Sequence, residues 1–167
     1  DLTFLVHRLP VAGETVVADA THRSSGGKGA NQAYAAARSS RAVDVRMAGA
    51  VGNDEDGRRM RAELRAAGVD VSGIREVDEP SGVAMIAVDP EGANLIVVAP
   101  GANHAWPRDI DLGVASGDVV VLQLELPLDI VAEVTRQSHE AGATVVLNAA
   151  PVMADAARLL PFVDVLL

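Results

Sequence analysis

The sequence predicts an α/β fold in which a parallel β-sheet is covered by helices on both faces. Two observations support this. The second half of the chain alternates strand-like and helix-like segments, and its strands are almost continuous apolar runs, as in buried parallel sheets. Apolar residues make up 49% of the 167 residues, which is enough for a substantial core. Segments 14–21 and 82–99 do not fit the alternation and are expected to form a separate small sheet.

Glycine and proline residues divide the first half of the chain into short segments. Residues 1–6 are predicted to be the end of a buried strand. An Ala-rich helix is expected directly after the glycine loop, and Gly68 is predicted to close the following helix. The elements expected here are strands at 1–6 and 14–21, a helix at 30–38, a strand at 43–47, a helix at 58–67 and a short strand within 69–77.

The second half opens with a predicted β-hairpin, because two apolar runs flank the turn sequence Asp89-Pro90-Glu91-Gly92. After it, strands and helices alternate to the last residue. Strand-like runs reach both ends of the sequence, so we expect it to be a fragment of a longer chain. The elements expected here are strands at 82–88 and 94–99, a helix at 107–115, a strand at 118–124, a helix at 127–141, a strand at 144–148, a helix at 154–160 and a strand at 164–167.

Composition argues against several classes of function. The net charge of −9 disfavours binding to nucleic acid or to an anionic membrane surface. Aromatic residues are only 2% of the chain, which disfavours base stacking, and the absence of cysteine excludes disulfides and thiolate ligands. No apolar run is long enough to span a membrane, so a cytoplasmic protein is expected.

The most informative local feature is the single lysine. Lys28 is the only lysine among 14 basic residues, and it lies in the sequence Gly26-Gly27-Lys28-Gly29. Lysine is a slim point charge, whereas arginine is a broad planar fork, and glycines let a ligand approach backbone N–H groups. A tight site for a small polar ligand would explain this choice. Chance would also explain it, because glycine-rich loops are common, and the loop alone leaves both explanations open.

Common motifs do not fit this loop. It lacks the Ser/Thr of a phosphate-binding Walker A loop and the spacing of Gly-x-Gly-x-x-Gly. The four histidines lie in different predicted elements, so no metal site is predicted from them. They are His7, His22, His104 and His139.

Polar residues follow the predicted parallel strands at their carboxyl ends, where open α/β sheets bind ligands. Glu125 follows one strand, Asn148 ends another, and Lys28 and Asn31 lie at the start of a helix. A carboxylate, an amide and an ammonium at one edge would suit a polyhydroxylated ligand. Taken singly, each residue has an equally good explanation without a ligand: Glu125 could be a solvated charge at a strand end, and Asn148 could be a turn former.

Several motifs, in order, extend over the whole chain. They are Pro10-x-x-Gly13-Glu14-Thr15, Gly26-Gly27-Lys28-Gly29-Ala30-Asn31-Gln32, Gly52-x-Asp54-x-x-Gly57, Gly101-Ala102-Asn103, Gln123-Leu124-Glu125 and Asn148-Ala149-Ala150-Pro151. Together they resemble the PfkB-like carbohydrate kinases, the ribokinase-like family. Two departures are Ala149, where the family has proline, and a longer stretch at 39–44.

This resemblance implies a three-layer α/β/α sandwich with a mainly parallel sheet and a small β-lid, formed by segments of about 10–24 and 82–99. The whole of 1–167 would be one incomplete domain of this kind. The resemblance also implies a site, in which Asn148 lies near the phosphate and magnesium region. The implied sugar contacts are Asp1, Gly27, Lys28, Asn31 and Glu125.

The function implied by the resemblance is ATP-dependent phosphorylation of a pentose, D-ribose to ribose 5-phosphate, with Mg²⁺ and a monovalent cation such as K⁺. The catalytic base and the nucleotide site would lie beyond Leu167, so no catalytic residue and no direct metal ligand is expected in this chain. The implied partners are a small sugar and a second copy, bound through the β-lid. The alternatives are a non-catalytic sugar-binding or regulatory module, and a nucleoside or ketohexose kinase.

Overall fold

The structure is a computed structural model that describes residues 1–39, 42–106 and 112–167. Strands and helices alternate along most of these ranges. The strands are β1 (Leu2–Val6), β2 (Ala18–Arg23), β3 (Arg46–Gly52), β4 (Asp70–Val77), β5 (Val83–Val88), β6 (Asn94–Ala99), β7 (Val119–Gln123), β8 (Thr144–Asn148) and β9 (Val165–Leu166), and the helices are α1 (Lys28–Ser39), α2 (Glu55–Ala66) and α3 (Leu128–Glu140), with 3₁₀ helices at Gly101–His104 and Ala154–Phe162.

The predicted fold class is confirmed, because the chain is a mixed α/β protein with parallel sheets. β3 pairs with β4 in parallel, and β7, β8 and β9 form a second parallel sheet in that order. The apolar strands predicted at 118–124 and 144–148 are β7 and β8 of this second sheet.

A third sheet of four strands has the order β2-β1-β5-β6. β5 and β6 are the predicted hairpin, while β1 runs parallel to β5 and antiparallel to β2. The strand predicted at 1–6 is confirmed as β1, but the prediction that it is buried is wrong. β1 lies inside the four-stranded sheet, and only Val6 is buried among its five residues. Apolar sequence alone did not distinguish a half-exposed strand from a buried one.

Other differences concern element boundaries and covered faces. The strand predicted at 14–21 lies at Ala18–Arg23, and the one predicted at 43–47 lies at Arg46–Gly52. The segment predicted as a helix at 154–160 is a 3₁₀ helix. The helix predicted at 107–115 falls partly outside the described residues, and 112–115 are not helical.

Helices reach both faces of β7, but α1 covers one face only at its carboxyl end, where Gln123 contacts Gln32. Val119 and Val121 share one face of this strand, and both side chains are exposed. The second face of β7 packs inward, since Val120 and Leu122 contact Ile130 and Val134 of α3.

Three apolar clusters of the described residues form the core, and one of them is the packing of β7 on Ile130 and Val134 described above. The first packs α1 and α2 on β3 and β4, with Leu64 and Val71 among its most buried members. The second packs α3 on β8 through Val131 and Leu147. α1 contacts β7 as well as β3, so it connects the two parallel sheets. Its amino-terminal end is therefore held close to the carboxyl end of β7.

Asp54 joins α2 to the segment that leads into β5. It is the N-cap of α2, and its Oδ1 accepts hydrogen bonds from the Gly57 N–H (2.8 Å) and the Ser81 hydroxyl (2.7 Å). Its Oδ2 accepts from the Ser81 N–H at 2.7 Å. The Ser81 Oγ in turn accepts from the Gly52 N–H at 2.9 Å. A single carboxylate thus connects β3, α2 and the four-stranded sheet.

Glycine is required where these segments meet. A Cβ on Gly52 would lie 2.6 Å from the Ser81 nitrogen, and one on Gly57 would lie 2.4 Å from the Gly52 oxygen. Gly101 has φ +48, and its Cβ would lie 2.2 Å from the Pro80 oxygen. The motifs 52–57 and 101–103 therefore hold the fold together around residues 80–82.

Within the residues that the structure describes, none of the helices combines the length and apolar character needed to cross a membrane.

Candidate functional site

The first residue of α1 contacts the segment that follows β7. The Lys28 ammonium donates to Glu125 Oε1 at 2.8 Å, and the Lys28 backbone N–H donates to Glu125 Oε2, also at 2.8 Å. Both side chains remain partly exposed, 41% for Lys28 and 33% for Glu125. The two residues lie 97 positions apart in the sequence, so only the fold brings them together.

Glu125 acts as a cap for α1. The first turn of this helix contains no acidic residue of its own. The carboxylate of Glu125 accepts from a backbone N–H at the helix start, where negative charge is favourable. The ammonium of Lys28 then balances that carboxylate. The pair presents a donor and an acceptor together at the start of the helix.

The carboxylate of Asp1 lies against the glycine loop. Backbone groups of Asp1 and Ser24 are hydrogen-bonded in both directions, at 2.8 and 3.1 Å. A Cβ on Gly26 would lie 2.3–2.4 Å from the Asp1 carboxylate atoms. Only glycine leaves room for the carboxylate at this position, so the loop sequence and Asp1 are matched to one another.

Gly27 and Asn31 complete the start of α1. Gly27 has φ +90 and open space around the position of a Cβ. This conformation favours glycine and leaves the backbone accessible. The Asn31 N–H donates to the Gly27 carbonyl at 3.0 Å, and the Asn31 side chain is exposed.

Two glutamines form a second contact between α1 and β7, which the sequence analysis did not identify. The Gln123 side-chain amide donates to the Gln32 side-chain oxygen. Gln32 is four residues after Lys28, and Gln123 is two residues before Glu125. Both spacings favour a shared face and could have signalled this contact. Asn148 lies beside Gln123, since the two are register partners between β7 and β8.

The structure therefore brings Lys28 and Glu125 into direct contact and places the Asp1 carboxylate against the loop that contains Gly27. Asn31 lies one turn further along α1, and Asn148 on the neighbouring strand. This region offers carboxylates, amides, an ammonium and accessible backbone N–H groups, which suit several hydroxyl groups.

The described ranges contain no group of three or more His, Asp or Glu side chains positioned to hold a metal ion.

Comparison with known proteins identifies the family. The family model for "pfkB family carbohydrate kinase" matches residues 1–167. The chain belongs to the pfkB family. A curated relative, ribokinase of Schizosaccharomyces pombe, is 36% identical over 160 residues, covering 90% of this chain and 50% of the relative. The chain thus spans about half the length of the curated pfkB relatives it matches.

Solved structures of pfkB-family ribokinases have the same fold. The ribokinase of Giardia lamblia matches with a TM-score of 0.90 at 30% identity, covering 99% of this chain and 52% of that chain. Arabidopsis thaliana ribokinase complexed with ribose and ATP matches with a TM-score of 0.83 at 30% identity, covering 99% and 55%.

The pfkB motifs of this chain have two roles. Those at 26–32 and 123–125 form the contacts between α1 and β7. Those at 52–57 and 101–103 pack around residues 80–82 and support the junction with the four-stranded sheet.

Proposed function

We propose that this chain supplies the sugar-binding part of an ATP-dependent sugar kinase that converts D-ribose to ribose 5-phosphate. The observation that carries the proposal is the Lys28–Glu125 pair at the start of α1, beside the Asp1 carboxylate held by Gly26. Family membership and the ribose complex of the Arabidopsis thaliana relative support a pentose as the acceptor.

In this proposal, the carboxylates of Asp1 and Glu125 accept hydrogen bonds from sugar hydroxyls, while Lys28 and Asn31 donate to sugar oxygens. Gly27 lets the sugar approach the backbone. These contacts hold a primary hydroxyl in place for attack on the γ-phosphorus of ATP, and positioning accounts for much of the rate of such a transfer. The hydroxyl proton passes to a carboxylate base that we place beyond Leu167, and ADP leaves.

ATP, Mg²⁺ and a monovalent cation are part of this proposal for the longer protein. ATP supplies the phosphoryl group, and ribokinase relatives have been solved with ADP and with ATP. Asn148, at the end of β8, is proposed to face the phosphate region. The acidic and histidine side chains in the described ranges do not form a metal site. A cytoplasmic location is proposed with this function.

Two alternatives make different predictions. A non-catalytic sugar-binding module would bind ribose, and the longer protein would consume no ATP. A nucleoside or ketohexose kinase would phosphorylate those acceptors in preference to ribose. Assaying the longer protein with ATP and a panel of ribose, ketohexoses and nucleosides separates all three.

The chain itself tests the sugar site. We expect calorimetry to show that D-ribose binds this chain. The Gly26→Ala variant should bind D-ribose at least about tenfold more weakly, because the new methyl group would displace the Asp1 carboxylate. The matched control is Gly49→Ala, whose Cβ would make only an ordinary contact of 3.6 Å with Met47. Equal ribose affinity in both variants would exclude the role of Asp1.

A failure of ribose to bind both this chain and the longer protein would contradict the proposed function.

The four-stranded sheet is proposed to be the lid, and also the dimer interface. β6 is an edge strand on which all six residues are exposed. Leu95, Ile96, Val97 and Val98 are apolar, and soluble proteins normally cover such a surface. A second copy of the same sheet would cover it by symmetry.

We expect Val97→Lys or Val83→Lys to weaken a dimer of the longer protein, because each variant places a charge in an apolar interface. The two residues share a face of the hairpin. Val43→Lys, at an exposed position outside the sheets, is the control. Light scattering at micromolar concentration measures the result. A monomeric parent, or a dimer that tolerates both charges, would contradict the lid-to-lid arrangement.

A further inference from the structure

We infer that Gln32 and Gln123 are positioning residues that keep Lys28 and Glu125 in the geometry needed to bind the sugar. This inference rests on the proposed function, and it assigns a role to two residues that do not themselves contact the sugar in that proposal. Their side-chain amides are hydrogen-bonded to each other and partly buried.

The Lys28–Glu125 pair does not fix its own geometry. Both side chains are long, and both are partly exposed, 41% for Lys28 and 33% for Glu125. Exposed ion pairs contribute little, because water screens the charges and the flexible side chains lose entropy when held. A sugar site needs its polar groups held to within a fraction of an ångström, so another contact has to fix α1 against β7.

The glutamine pair is placed to provide that contact. Gln32 lies one turn after Lys28 on the same face of α1, while Gln123 is the last residue of β7, two residues before Glu125. The two pairs therefore join the same helix to the same strand end at successive positions. With two points of contact, α1 cannot rotate about its axis without breaking one of them.

Gly29 allows this contact to form. A Cβ on Gly29 would lie 3.1 Å from the Gln123 side-chain oxygen and 3.1 Å from Met47 Cε. Distances of this size are tighter than ordinary van der Waals contact, so a larger residue would push the Gln123 side chain away. The glycine loop thus makes room for Gln123 on one side and for the Asp1 carboxylate on the other.

The experiment is a double-mutant cycle on this chain with Gln32→Ala, Gln123→Ala and the double variant. We expect each single variant to weaken D-ribose binding by about fivefold, the effect of one neutral hydrogen bond. The double variant should bind D-ribose about as well as either single variant, because the two residues act through one contact. Gln137→Ala is the matched control, since Gln137 is also a helix glutamine with a hydrogen bond, to Glu133, and lies on α3.

NMR signals of the Lys28 and Glu125 side chains, recorded without sugar, provide a second readout. The inference predicts that both glutamine variants shift these signals and that Gln137→Ala does not. Because this readout needs no ligand, it separates failure of the inference from failure of the proposed function. Unchanged signals in both variants, or fully additive losses of ribose affinity, would overturn the inference.

Discussion

Replacing Lys28 by alanine is expected to weaken D-ribose binding by about ten- to a hundredfold, because a donor to the sugar is lost and its partner oxygen is left unpaired. The free energy of unfolding should change by less than about 1 kcal/mol, since the pair is partly exposed. The Lys28 backbone N–H still reaches Glu125 in the variant, so the cap of α1 remains. Calorimetry with ribose and urea unfolding measure the two effects.

The controls separate loss of a site from loss of an ion pair. Arg136→Ala removes exposed pairs with Glu133 and Glu140 on α3, and it should leave ribose affinity unchanged. Asn31→Ala should also weaken D-ribose binding. Lys28→Arg keeps the charge but brings a broad planar group to a loop built for a slim one, so weakened binding is expected there too. Ribose affinity that survives in both Lys28→Ala and Asn31→Ala would remove these residues from the site.

Replacing Asp54 by alanine is expected to destabilise the fold by about 2–4 kcal/mol. The change removes the N-cap of α2 and leaves the N–H groups of Gly57 and the buried Ser81 without their acceptors. Urea unfolding should show a lower midpoint. Asp70→Ala is the matched control, because Asp70 also accepts from a backbone N–H and a hydroxyl, both of its neighbour Ser72, at an exposed position. A loss of less than about 1 kcal/mol is expected there.

The same carboxylate should make stability depend on pH. Partial burial raises the pKa of Asp54, but the hydrogen bonds from Ser81 and Gly57 outweigh it and hold the pKa below its ordinary value. The folded state therefore favours the ionised form. This contribution is fully present above the unfolded pKa of about 3.9 and is lost as the pH falls through the lower, folded pKa. In urea unfolding between pH 7 and pH 3, Asp54→Ala should show a shallower loss of stability than the parent. Parallel curves would contradict the assignment.

The α/β class, the hairpin and the glycine loop at the start of a helix could be predicted from the sequence because they depend on local patterns. The apolar runs of β7 and β8, the turn at 89–92 and the glycines around Lys28 each lie within a few residues of one another. The motifs also sufficed to recognise the family, which the comparison confirmed.

The contacts that define the candidate site could not be predicted, because they join distant residues. The sequence indicated Lys28 and Glu125 as candidate site residues but not their direct contact. That contact spans 97 positions and depends on how α1 packs against β7. The contact of Gln32 with Gln123 depends on the same packing and was missed. In the sequence, Asp54 was noted only as part of the motif at 52–57, whereas the fold brings Ser81 to it from 27 positions away.

By itself, then, the sequence determined most of the segments that form strands and helices and which loop carries the unusual lysine, since backbone geometry and side-chain periodicity act over short distances. The tertiary structure alone decided that β1 belongs to the four-stranded sheet, that Val119 and Val121 of β7 are exposed and that Glu125 caps α1. The physical reason is that strand partners, covered faces and hydrogen bonds between distant residues follow from the packing of whole elements. The local sequence around a residue is the same whichever element packs against it, so it does not specify that partner.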